Sequence, residues 1–227
     1  MLSLSYTVDF SPIFEAFPRF LKGALITLLF GISAVILGTI LGFIVNLGNL
    51  SKYKWVRGIT KFYISIFRGT PSLIQLYLCF YGIPLVLGIN VNAYAAGIIA
   101  LSINSSAYVA EIFRSGIQSV DVGQTEASRS LGFSKWYTLW HIVFPQALKN
   151  ILPAIGNEFI SLIKESSIIS LIGISDITHV SDLLKASTYK VFESLIMAAL
   201  IYYIITTSLS FVIRFMEKRL TKKYVRH

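Results

Sequence analysis

Cysteine, charge and histidine are all scarce in this chain, and each scarcity excludes a class of protein. Cys79 stands alone, so no disulfide can form within the chain and no cysteine cluster is available for a structural metal. His141, His179 and His227 lie too far apart to read as a metal-binding motif. Charged residues fill only 14% of 227 positions while 55% are hydrophobic, and the mean hydropathy of +0.69 excludes an ordinary soluble domain. No Gly-x-x-x-x-Gly-Lys-Ser/Thr phosphate loop occurs, so ATP hydrolysis at such a loop is excluded. Residues 1–18 hold Asp9 and Glu15 but no basic residue, unlike the positive start of a cleaved signal peptide, and the first hydrophobic run is therefore expected to persist as a span.

What is present is hydrocarbon in long stretches. Crossing roughly 30 Å of bilayer needs about 20 apolar residues, and five runs meet that need, near 23–46, 60–81, 92–113, 151–173 and 191–213. The expected fold is an all-α membrane protein with five transmembrane helices. In the first run Ala34, Gly38, Gly42 and Asn46 recur every four residues, giving one helix face small enough for a neighbouring helix to approach. The second contains Arg68-Gly69-Thr70-Pro71, where proline disfavours helix in the residue before it and predicts a break. Glu111 and Arg114 end the third at a spacing that makes them helix neighbours.

The net charge of +9 does not point to nucleic acid, because the basic residues are spread between runs and no basic–aromatic platform appears. With the N-terminus outside, one side collects Lys52, Lys54, Arg57 and Lys61, then Arg114, Arg129, Lys135 and Lys149. It also takes Arg214, Lys218, Arg219, Lys222, Lys223 and Arg226, for 14 in all. The other side has 4, Arg19, Lys22, Lys185 and Lys190, with Arg68 and Lys164 left inside runs. The positive-inside rule then places the 14 in the cytoplasm, together with the C-terminus. Residues 1–22 become an extracytoplasmic segment, 23–213 the membrane domain with a cytoplasmic loop at 114–150, and 214–227 a basic tail.

That loop holds a helix-competent island. Val120 to Leu131 can form a short helix with Glu126 and Arg129 on it, and Gly132 offers the left-handed conformation that ends helices. Ser134 is a good N-cap for a second piece bearing Trp136, Tyr137 and Trp140, and Pro145 is expected to limit how far it runs. Two short helices joined at a glycine make a knob; on periodicity alone an interfacial helix resting on headgroups is the alternative.

From Glu126-Ala127-Ser128-Arg129 through Gly132 to Ile142-Val143-Phe144-Pro145, the island resembles the coupling loop of ABC-importer permeases, departing at Ser128 and Phe144, where alanine and leucine are expected. Tyr63 to Pro71 with Gln75, and Ile103 to Ile117, resemble the second- and third-span signatures of polar amino-acid permeases. Pro145 to Pro153, Asn157 to Ile160 and Lys164 to Ser167 are similar to the region after the loop, so the resemblance covers roughly residues 20–215. It implies a type I importer permease fold in a bacterial cytoplasmic membrane. Separate ABC ATPase subunits that hold ATP and Mg would receive the loop, and this chain would bind no cofactor. An extracytoplasmic amino-acid-binding protein would deliver substrate. A second permease chain would complete the pathway, as a copy of this one or as a homologue; the presence of both a full loop and a candidate binding carboxylate in this chain favours the copy.

On the same resemblance Glu126, Ala127, Ser128, Arg129, Gly132 and Pro145 form the coupling set, with Glu126 a polar anchor, Ala127 allowing close approach and Gly132 setting the turn. Charges inside spans are costly and face an interior or a watery cavity. Glu158 can hold an amino-acid ammonium or a cationic side chain, or can pair with Arg68, Arg114 or Lys164. Lys164 and Glu165 are expected to pair with each other. Asn104, Ser105, Tyr108, Thr70 and Arg68 complete the candidate pathway. Asp176, Asp182 and Lys185 read as a solvated loop face or a contact for the binding protein. A basic amino acid is the expected cargo, with cystine and glutamine-type substrates as alternatives. A membrane-embedded enzyme and an ATP-independent channel or scaffold are the competing classes, and no nucleophile–base pairing supports the first.

Overall fold

Runs this apolar can satisfy their backbone groups in a bilayer only as helices or a closed barrel, and every regular element among the described residues is helical. The computed structural model describes residues 7–224, with side chains through residue 219. Residues 1–6 of the expected N-terminal segment, and Arg226 and His227, lie outside the described residues, as do the side chains of Lys222 and Lys223.

Helix α1 (Ser11–Glu15) leads into α2 (Phe17–Asn49), which is long enough to overrun the hydrocarbon. Next come α3 (Lys54–Gly69), α4 (Ser72–Tyr77), a π turn (Leu78–Gly82) and α5 (Ile83–Leu87), the last closed by Gly88 at φ +66°. Helix α6 (Ala93–Gln118) is capped by the Asn92 side chain, which accepts from the Ala95 N–H at 2.8 Å. The loop holds α7 (Val122–Ser130) and α8 (Lys135–Thr138), and a second π turn (Leu139–Val143) runs straight into α9 (Phe144–Glu165). A 3₁₀ stretch (Ser166–Ile172), α10 (Ile177–Thr188) and α11 (Val191–Tyr224) complete the chain.

Helices α2, α6 and α11 are long and apolar enough to cross a membrane. The break expected at Arg68 to Pro71 is present: α3 and the Ser72–Leu87 segment meet at 105°, and count as a fourth crossing if taken as one broken span. Helix α9 does not reach the same hydropathy, because Gln146, Lys149, Asn150, Asn157 and Glu158 dilute it. It also starts at Phe144, earlier than the expected 151, and gives way to 3₁₀ geometry before Gly173.

The main seam is α2 along α6. The four-residue stripe on α2 makes it: Ala34 and Asn46 are buried, a Cβ at Gly38 would stand 2.7 Å from Ser105 Oγ, and one at Gly42 would stand 2.7 Å from the Ser106 carbonyl. Phe30, Leu76, Leu101, Leu162 and Ile169 fill the middle of the bundle. Ile13, Phe20, Ile177, Leu184 and Ile201 fill the end near the N-terminus, and Val109, Phe113, Ala147 and Ile151 the end near the loop. Cys79 packs into the middle cluster. On the far side of α2, Leu25, Leu29, Ile32, Ile36 and Ile40 are exposed, a hydrocarbon ridge suited to lipid.

Candidate functional site

The loop folds as a knob from local signals. Asp121 caps α7 by accepting from the Gly123 N–H at 2.7 Å, so the helix starts two residues later than the hydrophobic pattern predicts. Gly132 adopts φ +86°, donating to the Arg129 carbonyl at 3.1 Å, and Phe133 N–H reaches back to the Ser128 carbonyl at 3.3 Å. Such 5→2 and 6→1 closures satisfy the last carbonyls of a helix, and the left-handed residue they need is cheapest as glycine. Ser134 caps α8 by accepting from Tyr137 N–H at 3.2 Å.

Ser128, the departure from the expected alanine, is buried and bonds Thr138 Oγ1 at 2.8 Å. It clasps α7 to α8 inside the knob, so it holds the surface residues in place and is not itself presented outward. Arg129 reinforces the turn through the Phe133 carbonyl. Glu126 and Ala127 are exposed on α7, as a docking role requires. Phe133, Tyr137 and His141 stack in succession with centroids 4.6 and 4.1 Å apart.

Pro145 does not limit the second piece. The Phe144 N–H donates five residues back to the Leu139 carbonyl, a π closure immediately before the proline, and the helix continues through it. Pro145 then sits in the first turn of α9, and helical geometry continues from Lys135 to Glu165 with Pro153 inside it.

The six candidate pathway residues fall into three groups. Asn104 is buried; its Nδ2 donates to Gln75 Oε1 at 3.0 Å and to the Phe67 carbonyl at 3.3 Å. Gln75 Nε2 in turn donates to Phe67 O and to Thr70 Oγ1, both at 2.9 Å. Asn104, Gln75 and Thr70 thus satisfy the backbone freed where α3 breaks, which is the condition for a break at membrane depth. Gln75, adjacent in sequence to the break signal but outside the predicted set, is central to this brace.

Ser105 belongs elsewhere. It is buried against α2 and donates to Glu158 Oε1 at 2.9 Å, joining α6 to α9. Arg68 and Arg114 do not pair with Glu158; both approach Glu111, Arg68 at 3.8 Å and Arg114 through two hydrogen bonds, and Arg68 also lies over the Tyr108 ring at 5.4 Å. No ion pair joins Lys164 to Glu165 or to Glu158 among the described residues, and successive helix positions do not face each other. Glu158 therefore stands half-buried with a hydroxyl donor and no cation at ion-pair distance.

Toward the end near the N-terminus, Asp176 is not part of a solvated face. It is fully buried, caps α10 through the His179 N–H at 2.8 Å and accepts from Tyr202 at 3.1 Å. Burial pushes its carboxyl up to about 6 although these hydrogen bonds pull the other way. Asp182 and Lys185 do pair, at 2.5 Å, both of them half-buried. No cluster of metal-ligating residues occurs among the described residues.

Residues 34–222 match the family described as binding-protein-dependent transport system inner membrane component. The chain is 42% identical over 215 residues to a putative glutamine transport system permease protein of Rickettsia bellii, covering 95% of this chain and 97% of that protein. It is 41% identical over 213 residues to an arginine transport system permease protein of Bacillus subtilis, covering 94% and 97%. A crystal structure of an amino acid ABC transporter with histidines superposes with a TM-score of 0.90 at 44% identity, covering 94% of this chain and all of that one. An inward-facing MetNI methionine ABC transporter shares the fold at 19% identity, with a TM-score of 0.68.

Proposed function

We propose, from the premise that this chain belongs to the family of inner membrane components of binding-protein-dependent transport systems, that it is the membrane permease of an ATP-driven importer of basic amino acids. It is a transport subunit and not an enzyme; ATP is hydrolysed by a separate subunit that holds ATP and Mg. Five spans cross the cytoplasmic membrane with the N-terminus outside, counting the broken α3–α5 segment and the polar α9 as one span each. The knob at α7 and α8 docks on the ATPase, with Glu126 and Ala127 at its surface. A binding protein delivers the amino acid from outside, and a second copy of this chain completes the pathway.

Glu158 carries the substrate assignment. An ionised carboxylate within a helical bundle is costly unless paired, and here it is met by the Ser105 hydroxyl and by no Lys or Arg among the described residues. A cationic amino acid entering the pathway supplies the missing charge. The Bacillus subtilis relative is named for arginine, which agrees; the Rickettsia relative is named for glutamine, which keeps a neutral polar substrate as the second reading.

Uptake by proteoliposomes holding the permease, its ATPase and its binding protein separates the two. Arginine and lysine should be taken up in preference to glutamine and cystine. Glu158→Gln should raise KM for the cationic substrates about ten- to hundredfold, the value of a hydrogen bond to a charged group, while the complex still assembles. Unchanged kinetics in that variant would overturn the assignment.

A further inference from the structure

A cavity lies at the loop end of the bundle, and Glu158 is not among its lining residues. It encloses about 830 Å³ between the α2–α3 connection, the end of α6, the start of α7, α8 and the second π turn. Leu50, Ile117, Val122, Trp136 and Leu139 give it apolar walls, and Lys52, Arg57 and Lys135 are its charged lining. No acidic residue lines it; Asp121, next in sequence, is turned to the Gly123 N–H as a helix cap.

Each cation is set differently. Arg57 Nη1 donates to the carbonyls of Ser51 at 2.7 Å and Lys52 at 3.1 Å, which fixes the guanidinium at the rim and leaves further N–H groups for an acceptor. Lys52 lies 5.1 Å from the Tyr53 ring, and Lys135 stands exposed at the first turn of α8. Around them Val122 is 68% and Trp136 56% exposed, apolar area that water alone would solvate at a cost.

We infer that this cavity holds an anionic phospholipid of the cytoplasmic leaflet, its phosphate on Lys52, Arg57 and Lys135 and the first part of its acyl chains against the apolar walls. Three cations without a counter-charge match a single anionic headgroup, and basic pockets on the cytoplasmic side of spans suit such headgroups. Depth agrees as well: the cavity joins the ends of two crossing helices, α2 and α6, to a loop with aromatic surface, the level at which headgroups lie. The assignment rests on the cytoplasmic placement of the loop proposed above. Because the walls include both α7 and the ends of α2 and α6, the lipid bridges the knob and the spans, and the membrane's anionic content becomes an input to coupling.

The test uses the assembled complex in nanodiscs of phosphatidylcholine with or without 30% phosphatidylglycerol, followed by detergent extraction and lipid analysis. Wild type should retain about one phosphatidylglycerol per permease chain in preference to phosphatidylcholine. Lys52→Ala with Lys135→Ala should weaken that retention roughly thirtyfold, at the attraction expected for two basic residues near a headgroup, and Lys52→Arg with Lys135→Arg should keep it. Equal retention of the two lipids by wild type, or undiminished phosphatidylglycerol on the alanine variant, overturns the site. Lipid retention is read without transport, so failure of the amino-acid assignment leaves this outcome unaffected.

Discussion

Gly132 offers the sharpest test of the knob, because the structure separates the ways in which a substitution could act. The residue sits at φ +86°, and a Cβ added there meets nothing within 4 Å. A loss on replacement by alanine is therefore conformational and not a clash within the chain. An L-residue in the left-handed region costs about 1–2 kcal/mol, enough to shift a local folding equilibrium by about 5- to 30-fold. Asparagine tolerates that region better than most residues, and a β-branched side chain tolerates it worst. The expected order of retained coupling is Gly132→Asn, then Gly132→Ala, then Gly132→Val. Gly132→Asp tests charge separately, since its backbone tolerance is like that of asparagine but it adds an anion at the negative end of α7, close in sequence to Glu126. It should insert and assemble normally yet uncouple transport. The assay is the ratio of substrate-stimulated to basal ATP hydrolysis by the reconstituted complex, with thermal unfolding as a control. Because the turn is exposed and lies outside the three apolar clusters, unfolding temperature should fall by no more than about a few degrees across the series. Normal stimulation in both Gly132→Val and Gly132→Asp would refute the reasoning.

Two further outcomes follow from the packing and the buried carboxyl. Gly38→Ala pushes a methyl to within 2.7 Å of Ser105 Oγ, and overpacking of this kind costs about 1–3 kcal/mol; thermal unfolding in detergent should fall by several degrees, and further for Gly38→Val, whereas no fall in either variant would show the seam to be loose. Asp176 binds its proton more tightly folded, near 6, than its ordinary value of 3.8, so its contribution favours the fold below about pH 4 and is lost as pH rises through 6, on the order of 3 kcal/mol in total. Asp176→Asn should flatten the dependence of unfolding temperature on pH across that window, and an unchanged slope would count against the burial.

Features that depend on near neighbours in sequence were readable before the structure. The Ala34–Gly38–Gly42–Asn46 stripe needed only helical period and small side chains, and it faces α6 as expected. Gly132, Ser134 and the Arg68–Pro71 break are short signals whose meaning is set by φ restriction and cap chemistry, and each sits where those rules put it. What stayed hidden depended on partners far along the chain. Nothing near Asn104 says that its acceptor is Gln75, 29 positions earlier, or that Glu158 receives its hydrogen bond from Ser105, 53 earlier. The burial of Asp176 comes from Gly23 and Tyr202 closing over a stretch that reads locally as a polar loop. Ser128 had a visible cue, a hydroxyl where alanine was expected, but its meaning required Thr138 on the other helix.

Pro145 shows how a locally sound rule can conceal the mechanically important feature. Read alone, a proline after a short helix ends it; with a π turn before it, the same proline begins a longer one. The knob and Glu158 then share one helical column, with Glu158 about 21 Å of helical rise beyond Phe144 at 1.5 Å per residue and Pro153 inside the stretch between them. A π turn could act as a hinge and absorb motion. Here it is clamped: Trp140 and Phe144 pack on Phe43 of α2 with centroids at 6.1 and 6.4 Å, Phe144 stacks on Phe113 of α6 at 6.5 Å, and Phe43 meets Phe113 at 5.3 Å. Aromatic groups from three helices around one turn favour a stiff joint. On the importer reading, a displacement of the knob by its ATPase is carried along α9 toward the Ser105–Glu158 contact, and the proline helps to preserve that lever by fixing φ at its base.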